Sequence, residues 1–241
     1  MPQFLRQFQK INWKFLIPNI VVQMICWSYV AVSYAVSVKM TVFQGDLSLF
    51  FIYQFFVGLT ITLMNEKAGS APILISLIIS AILALDGLWH GNLIVAALSL
   101  LMPLCQLIIF WRILEHPVES QWLCFCCIYS LTIPIVMIRL ISGFVSLTSV
   151  ISLLPLLMTV AFFQSPIWTK HAPYQLLDST IAGILAIICL LAMRPFGLPI
   201  FIGILIIGAS WWLLMSRHPL VHSPAAINFT QMIVIILAYW H

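Results

Sequence analysis

An all-α polytopic transmembrane bundle of about nine helices, with the N-terminus inside and the C-terminus outside, is the fold class this sequence predicts. Three observations predict it. Of the 241 residues 63% are apolar and only 7% charged, against roughly half and a quarter in soluble domains. The apolar positions form runs of about 20 residues, the length that crosses a bilayer. Lysine and arginine are also divided unevenly between alternate loops. Nine such runs take up roughly 180 positions, which leaves no room for a soluble domain. A net charge of +4, thinly spread, excludes a nucleic-acid footprint.

Taken in order, residues 1–15 read as a short interfacial amphipathic helix, and 16–241 as a single transmembrane helical domain. Phe4, Phe8, Ile11 and Phe15 fall on one helical stripe and Arg6, Lys10 and Lys14 on another, which suits a helix lying in the headgroup layer. The same cations serve equally as positive-inside anchors for the first span. No small-residue cleavage pattern follows, so the segment is expected to be retained. Apolar runs then predict spans at 16–38, 47–64, 73–89, 93–114, 122–145, 147–163, 175–193, 198–215 and 225–240. With the N-terminus inside, Lys67, Arg112, Lys170 and Arg217 join the first three cations on the inside, and only Lys39, Arg139 and Arg194 lie outside. A wrong span count would scramble that alternation. The pair 122–145 and 147–163, joined by a short apolar link, leaves eight spans as the alternative. Pro18, Pro103, Pro134 and Pro155 sit inside or near the ends of spans, where they free backbone carbonyls and can kink a helix toward a cavity.

Ionisable groups are costly in hydrocarbon, so the six acidic residues are the first places to look for function. Glu66, Glu115, Glu119 and Asp178 share the inside face; Asp46 and Asp86 belong to the outside. His116, His171, His218 and His222 also fall inside, at spacings that fit no metal motif. All six cysteines lie in predicted helices and read as soft apolar packing. Tryptophans near span ends fit an interfacial belt.

The inside loops after spans two and six carry polar sequence, Asn65-Glu66-Lys67 and Gln164-Ser165-Pro166-Ile167-Trp168-Thr169-Lys170-His171. The chain closes with Trp211-Trp212, Ser216-Arg217-His218-Pro219 and Ala225-Ala226-Ile227-Asn228-Phe229. With nine helices and an amphipathic start, this resembles the UbiA family of membrane prenyltransferases. The resemblance implies a divergent enzyme or binder of an isoprenoid- or quinone-type lipid. Asn65 and Glu66 match the opening of that family's first aspartate-rich box. The later acids fall at Gly69 and Ile73, the second loop has no carboxylate, and Asp178 comes late. The resemblance therefore implies Glu66 and Asp178 as the catalytic pair, with Asn65, Lys67, Lys170, His171 and Arg217 binding substrate. Magnesium follows only if the family's diphosphate chemistry is kept; otherwise no cofactor is implied. The expected partner is a membrane lipid or isoprenoid substrate, with no nucleic acid. The expected location is a bacterial inner membrane or an equivalent organelle membrane. A transporter or permease subunit using Asp86 or Arg139, and a non-catalytic subunit of a membrane complex, are the competing readings.

Overall fold

The computed structural model describes residues 11–38, 47–66, 68–89, 92–111, 118–169, 174–216 and 223–240. The regular elements among them are α1 (Trp13–Ser37), α2 (Leu47–Asn65), α3 (Ser70–Trp89), α4 (Leu93–Trp111), α5 (Val118–Ser142), α6 (Leu147–Ile151), α7 (Leu154–Trp168), α8 (Gln175–Met193), α9 (Leu198–Met215) and α10 (Pro224–Ala238). Because α6 and α7 run on as one apolar rod of 22 residues, Leu147–Trp168, the described helices form nine rods where the sequence predicts nine spans. Seven rods are long and apolar enough to cross a membrane; the apolar part of α3, Ser70–Leu85, and α10 are shorter. The chain is a multi-pass integral membrane protein.

The boundaries differ from expectation for local reasons. Residues 1–10 of the expected interfacial helix lie outside the described residues, and Trp13, Lys14 and Phe15 already belong to α1. α5 starts at Val118, ahead of 122, with the Glu119 carboxylate in its first turn, where the helix dipole favours negative charge. The two doubtful spans do separate. α5 stops because Gly143 takes φ = 79°, a left-handed conformation that favours glycine. Its N–H donates to the Arg139 carbonyl, and the Arg139 guanidinium donates to the Gly143 carbonyl. Ser146 then caps α6 reciprocally with Ser149. Pro155 has no N–H for the Ile151 carbonyl and its ring crowds that oxygen, so the rod breaks there before continuing to Trp168.

Each rod packs against the next along the chain, and α10 returns to α1, closing a ring. Contacts of α1 with α5 and of α7 with α10 cut across it. The middle is therefore filled. Trp27 of α1 meets Tyr129 of α5 with ring centroids 4.9 Å apart, and Phe125 stands 4.6 Å from Trp168. Small residues bring backbones close where lipid offers no hydrophobic drive between helices. A Cβ at Gly58 would lie 3.3 Å from both Gln23 Oε1 and Ile20 Cγ2, so bare backbone sets the α1–α2 spacing. Ser165 and Ser179 hydrogen-bond at 2.6 Å between α7 and α8.

An unpaired carbonyl in hydrocarbon costs several kcal/mol, and hydroxyl groups take up two that prolines release. Pro103 leaves the Ser99 carbonyl without its helical donor; Tyr53 of α2 donates to it at 2.6 Å. Pro166 does the same to Phe162, whose carbonyl accepts from the Ser165 hydroxyl at 2.8 Å.

The two ends of the bundle are held differently. At one end the Tyr239 hydroxyl and the Arg194 guanidinium both donate to the Ser152 carbonyl, at 2.7 and 3.2 Å. Arg194 also lies 3.9 Å from the centre of the Tyr239 ring, and Ser33 donates to the Tyr239 carbonyl. The far ends of α1, α8 and α10 thus meet there. At the other end the start of α1, the turn after α2 and the start of α10 face a shared cavity. α1 and α10 consequently run parallel.

Candidate functional site

The cavity has a volume of about 540 Å³, within the range of small-molecule sites. Its apolar wall is Phe15 and Leu16 of α1 with Leu63 of α2; its polar groups are Asn12, Asn19, Ser223 and Glu66. Glu66 is placed there by the end of α2: its N–H closes the last turn on the Thr62 carbonyl, and Ala68 N–H reaches back to Leu63, turning the chain toward α3. Glu66 is solvent-exposed at this rim, and Asn65 is half-buried beside it.

Asn19 forms the floor, and behind it stands a cluster of amides. Asn19 and Gln23 are four apart on α1, and Asn228 and Gln231 three apart on α10, spacings that set each pair on one helical face. All four are buried, as is Gln164 of α7. Gln164 Nε2 donates to Asn228 Oδ1 at 3.0 Å and to Gln231 Oε1 at 2.8 Å. Asn228 Nδ2 donates to Asn19 Oδ1 at 3.4 Å, and Asn19 Nδ2 to the Phe15 carbonyl at 3.1 Å. Gln23 Oε1 is buried without a hydrogen bond, and the Tyr129 hydroxyl stands against Gln231. The result is a line of neutral donors and acceptors from the cavity into the core.

The residues predicted from sequence fall in separate places. Glu66 lines the cavity. Asp178, in the first turn of α8, does not; it feels the charge of Glu119 on α5, and its Oδ2 is buried without a partner. Lys67, Lys170, His171 and Arg217 lie outside the described residues, as do Asp46, Glu115 and His116. A magnesium–diphosphate centre needs several oxygen ligands on a hard cation. Among the described residues no three His, Cys, Asp or Glu side chains gather, and Glu66 is the one carboxylate on the described wall. This donor set does not fit such a centre.

Sequence reasoning missed the amides because it weighed charge. The signal was present: Asn19-x-x-x-Gln23 and Asn228-x-x-Gln231 are uncharged polar pairs at helical spacing inside apolar runs. Comparison with family models, with curated proteins and with solved structures finds no match.

Proposed function

We propose that this protein crosses the membrane nine times with its N-terminus inside, and binds the polar head of an isoprenoid- or quinone-type lipid in the cavity where α1 and α10 begin. In this reading it is a divergent relative of the UbiA-type enzymes in architecture. The observation that carries it is the cavity itself: an apolar wall of Phe15, Leu16 and Leu63 beside a polar floor and rim of Asn19, Ser223 and Glu66. Such a wall suits the first units of a hydrocarbon tail, and the polar groups orient a head. Glu66 is the group on the described wall able to give or take a proton from that head. Asp178 does not line the cavity and stands apart from it.

The test is to extract the protein in mild detergent and identify co-purifying lipids by mass spectrometry. An isoprenoid-tailed lipid at near-stoichiometric level is expected, falling several-fold in Leu63→Trp, which fills the cavity. Isoprenoid no higher than in an unrelated membrane protein prepared the same way would refute the reading.

A further inference from the structure

A pair of thiols away from the cavity makes a site of a different kind. α4 and α5 are consecutive, only six residues separate them, and they pack side by side, so they run antiparallel. Cys105 lies six residues before the end of α4 at Trp111, and Cys124 six residues after the start of α5 at Val118. At 1.5 Å per residue each stands about 9 Å from its own helix end. The pairing of the helices therefore brings the two thiols to one level, and they meet there: the Cys105 and Cys124 side chains hydrogen-bond to each other.

Their surroundings differ. Cys124 is exposed and Cys105 is buried. Leu123 is exposed beside Cys124 on α5, and Leu104 beside Cys105 on α4, so Cys124 opens onto the acyl chains at the seam between the two helices. A reagent dissolved in those chains meets Cys124 first, and Cys105 reacts only through it. An accessible thiol with a second thiol in contact is the arrangement in which a sulfenic acid is resolved to a disulfide before it is oxidised further.

We propose that Cys124 and Cys105 form an oxidation site for hydroperoxides carried by membrane lipids, with Cys124 taking up the oxidant and Cys105 closing a disulfide that staples α4 to α5. In the first step Cys124 Sγ attacks the terminal oxygen of the hydroperoxide. The O–O bond breaks, the thiol proton passes to the departing oxygen, and a sulfenic acid on Cys124 and a lipid alcohol result. In the second step Cys105 Sγ attacks the Cys124 sulfur, the S–O bond breaks, and the hydroxyl leaves as water with the Cys105 proton. Two thiols thus give up two electrons and one hydroperoxide accepts them. The site is independent of the lipid head proposed for the cavity.

The test reconstitutes the full-length, fully reduced protein in phosphatidylcholine liposomes that contain a phosphatidylcholine hydroperoxide. Free thiols are then blocked and disulfides mapped by mass spectrometry. A peptide pair linked through Cys105 and Cys124 is expected, with the loss of two free thiols per chain and one lipid alcohol formed per disulfide, and no link in liposomes lacking the hydroperoxide. Cys105→Ser should leave Cys124 as a sulfenic acid that dimedone traps, and Cys124→Ser should leave Cys105 reduced. The wild-type map decides even where a variant fails to fold. Cys126, buried two positions further along α5, tests specificity. A bridge from Cys105 to Cys126, oxidation of Cys124 without a bridge, or thiols left intact by the hydroperoxide overturns the proposal.

Discussion

Tyr53 illustrates how single side chains repair what proline breaks. Its hydroxyl reaches across from α2 to the Ser99 carbonyl, which Pro103 leaves unpaired inside α4. Tyr53→Phe strands that oxygen and is expected to lower stability by about 1–3 kcal/mol, read as thermal unfolding in detergent. In a Pro103→Ala background the helix supplies its own donor, so the same substitution should cost much less. Equal losses in both backgrounds would show that the hydroxyl has another role. At this scale the sequence was only partly legible. Glu66 was readable because a charge beside a span is costly and conspicuous. Asn19, Gln164 and Gln231 were not, since an amide inside an apolar run reveals its worth only when its partners arrive from helices more than 60 positions away.

Elements were read far better than residues, because hydrocarbon obliges nearly every backbone group to pair within a helix. Apolar run length therefore located the rods from α2 to α10. What it could not show was the α6–α7 break, which depends on Pro155 and on partners far along the chain. Arg194, counted only as an outside cation in the sequence, clamps that break by donating to Ser152 while covering Tyr239. Both donors share one acceptor, so their energies should not add. In a double-mutant cycle, Arg194→Met and Tyr239→Phe are expected to couple by about 0.5–3 kcal/mol, measured by thermal unfolding. Simple additivity would mean that the two side chains support the junction independently.

For the whole molecule, the ring with α1 and α5 touching across its middle confines the described hollow space of the cavity to one end. The tilted rings of Trp27, Tyr129 and Phe125 pack where α1 meets α5, and the sequence does not disclose which aromatic residues turn inward. The parallel course of α1 and α10 makes a sidedness prediction. In a cysteine-free background, single cysteines replacing Gly69 and Ser223 should react with a membrane-impermeant maleimide from one face of the membrane, and those replacing Phe196 and Trp240 from the opposite face. Labelling of both pairs from the same face would rule out an odd number of crossings.

The amide chain also joins α1 to α10, which is made 209 positions later, through Asn228 and Asn19. While the ribosome is still making the middle of the protein, Asn19 must wait without this partner among acyl chains or at the insertion machinery. Synthesis of α10 then supplies the donor that Asn19 lacks. A chain that stalls before Pro224 leaves the Asn19 side-chain oxygen without its Asn228 donor.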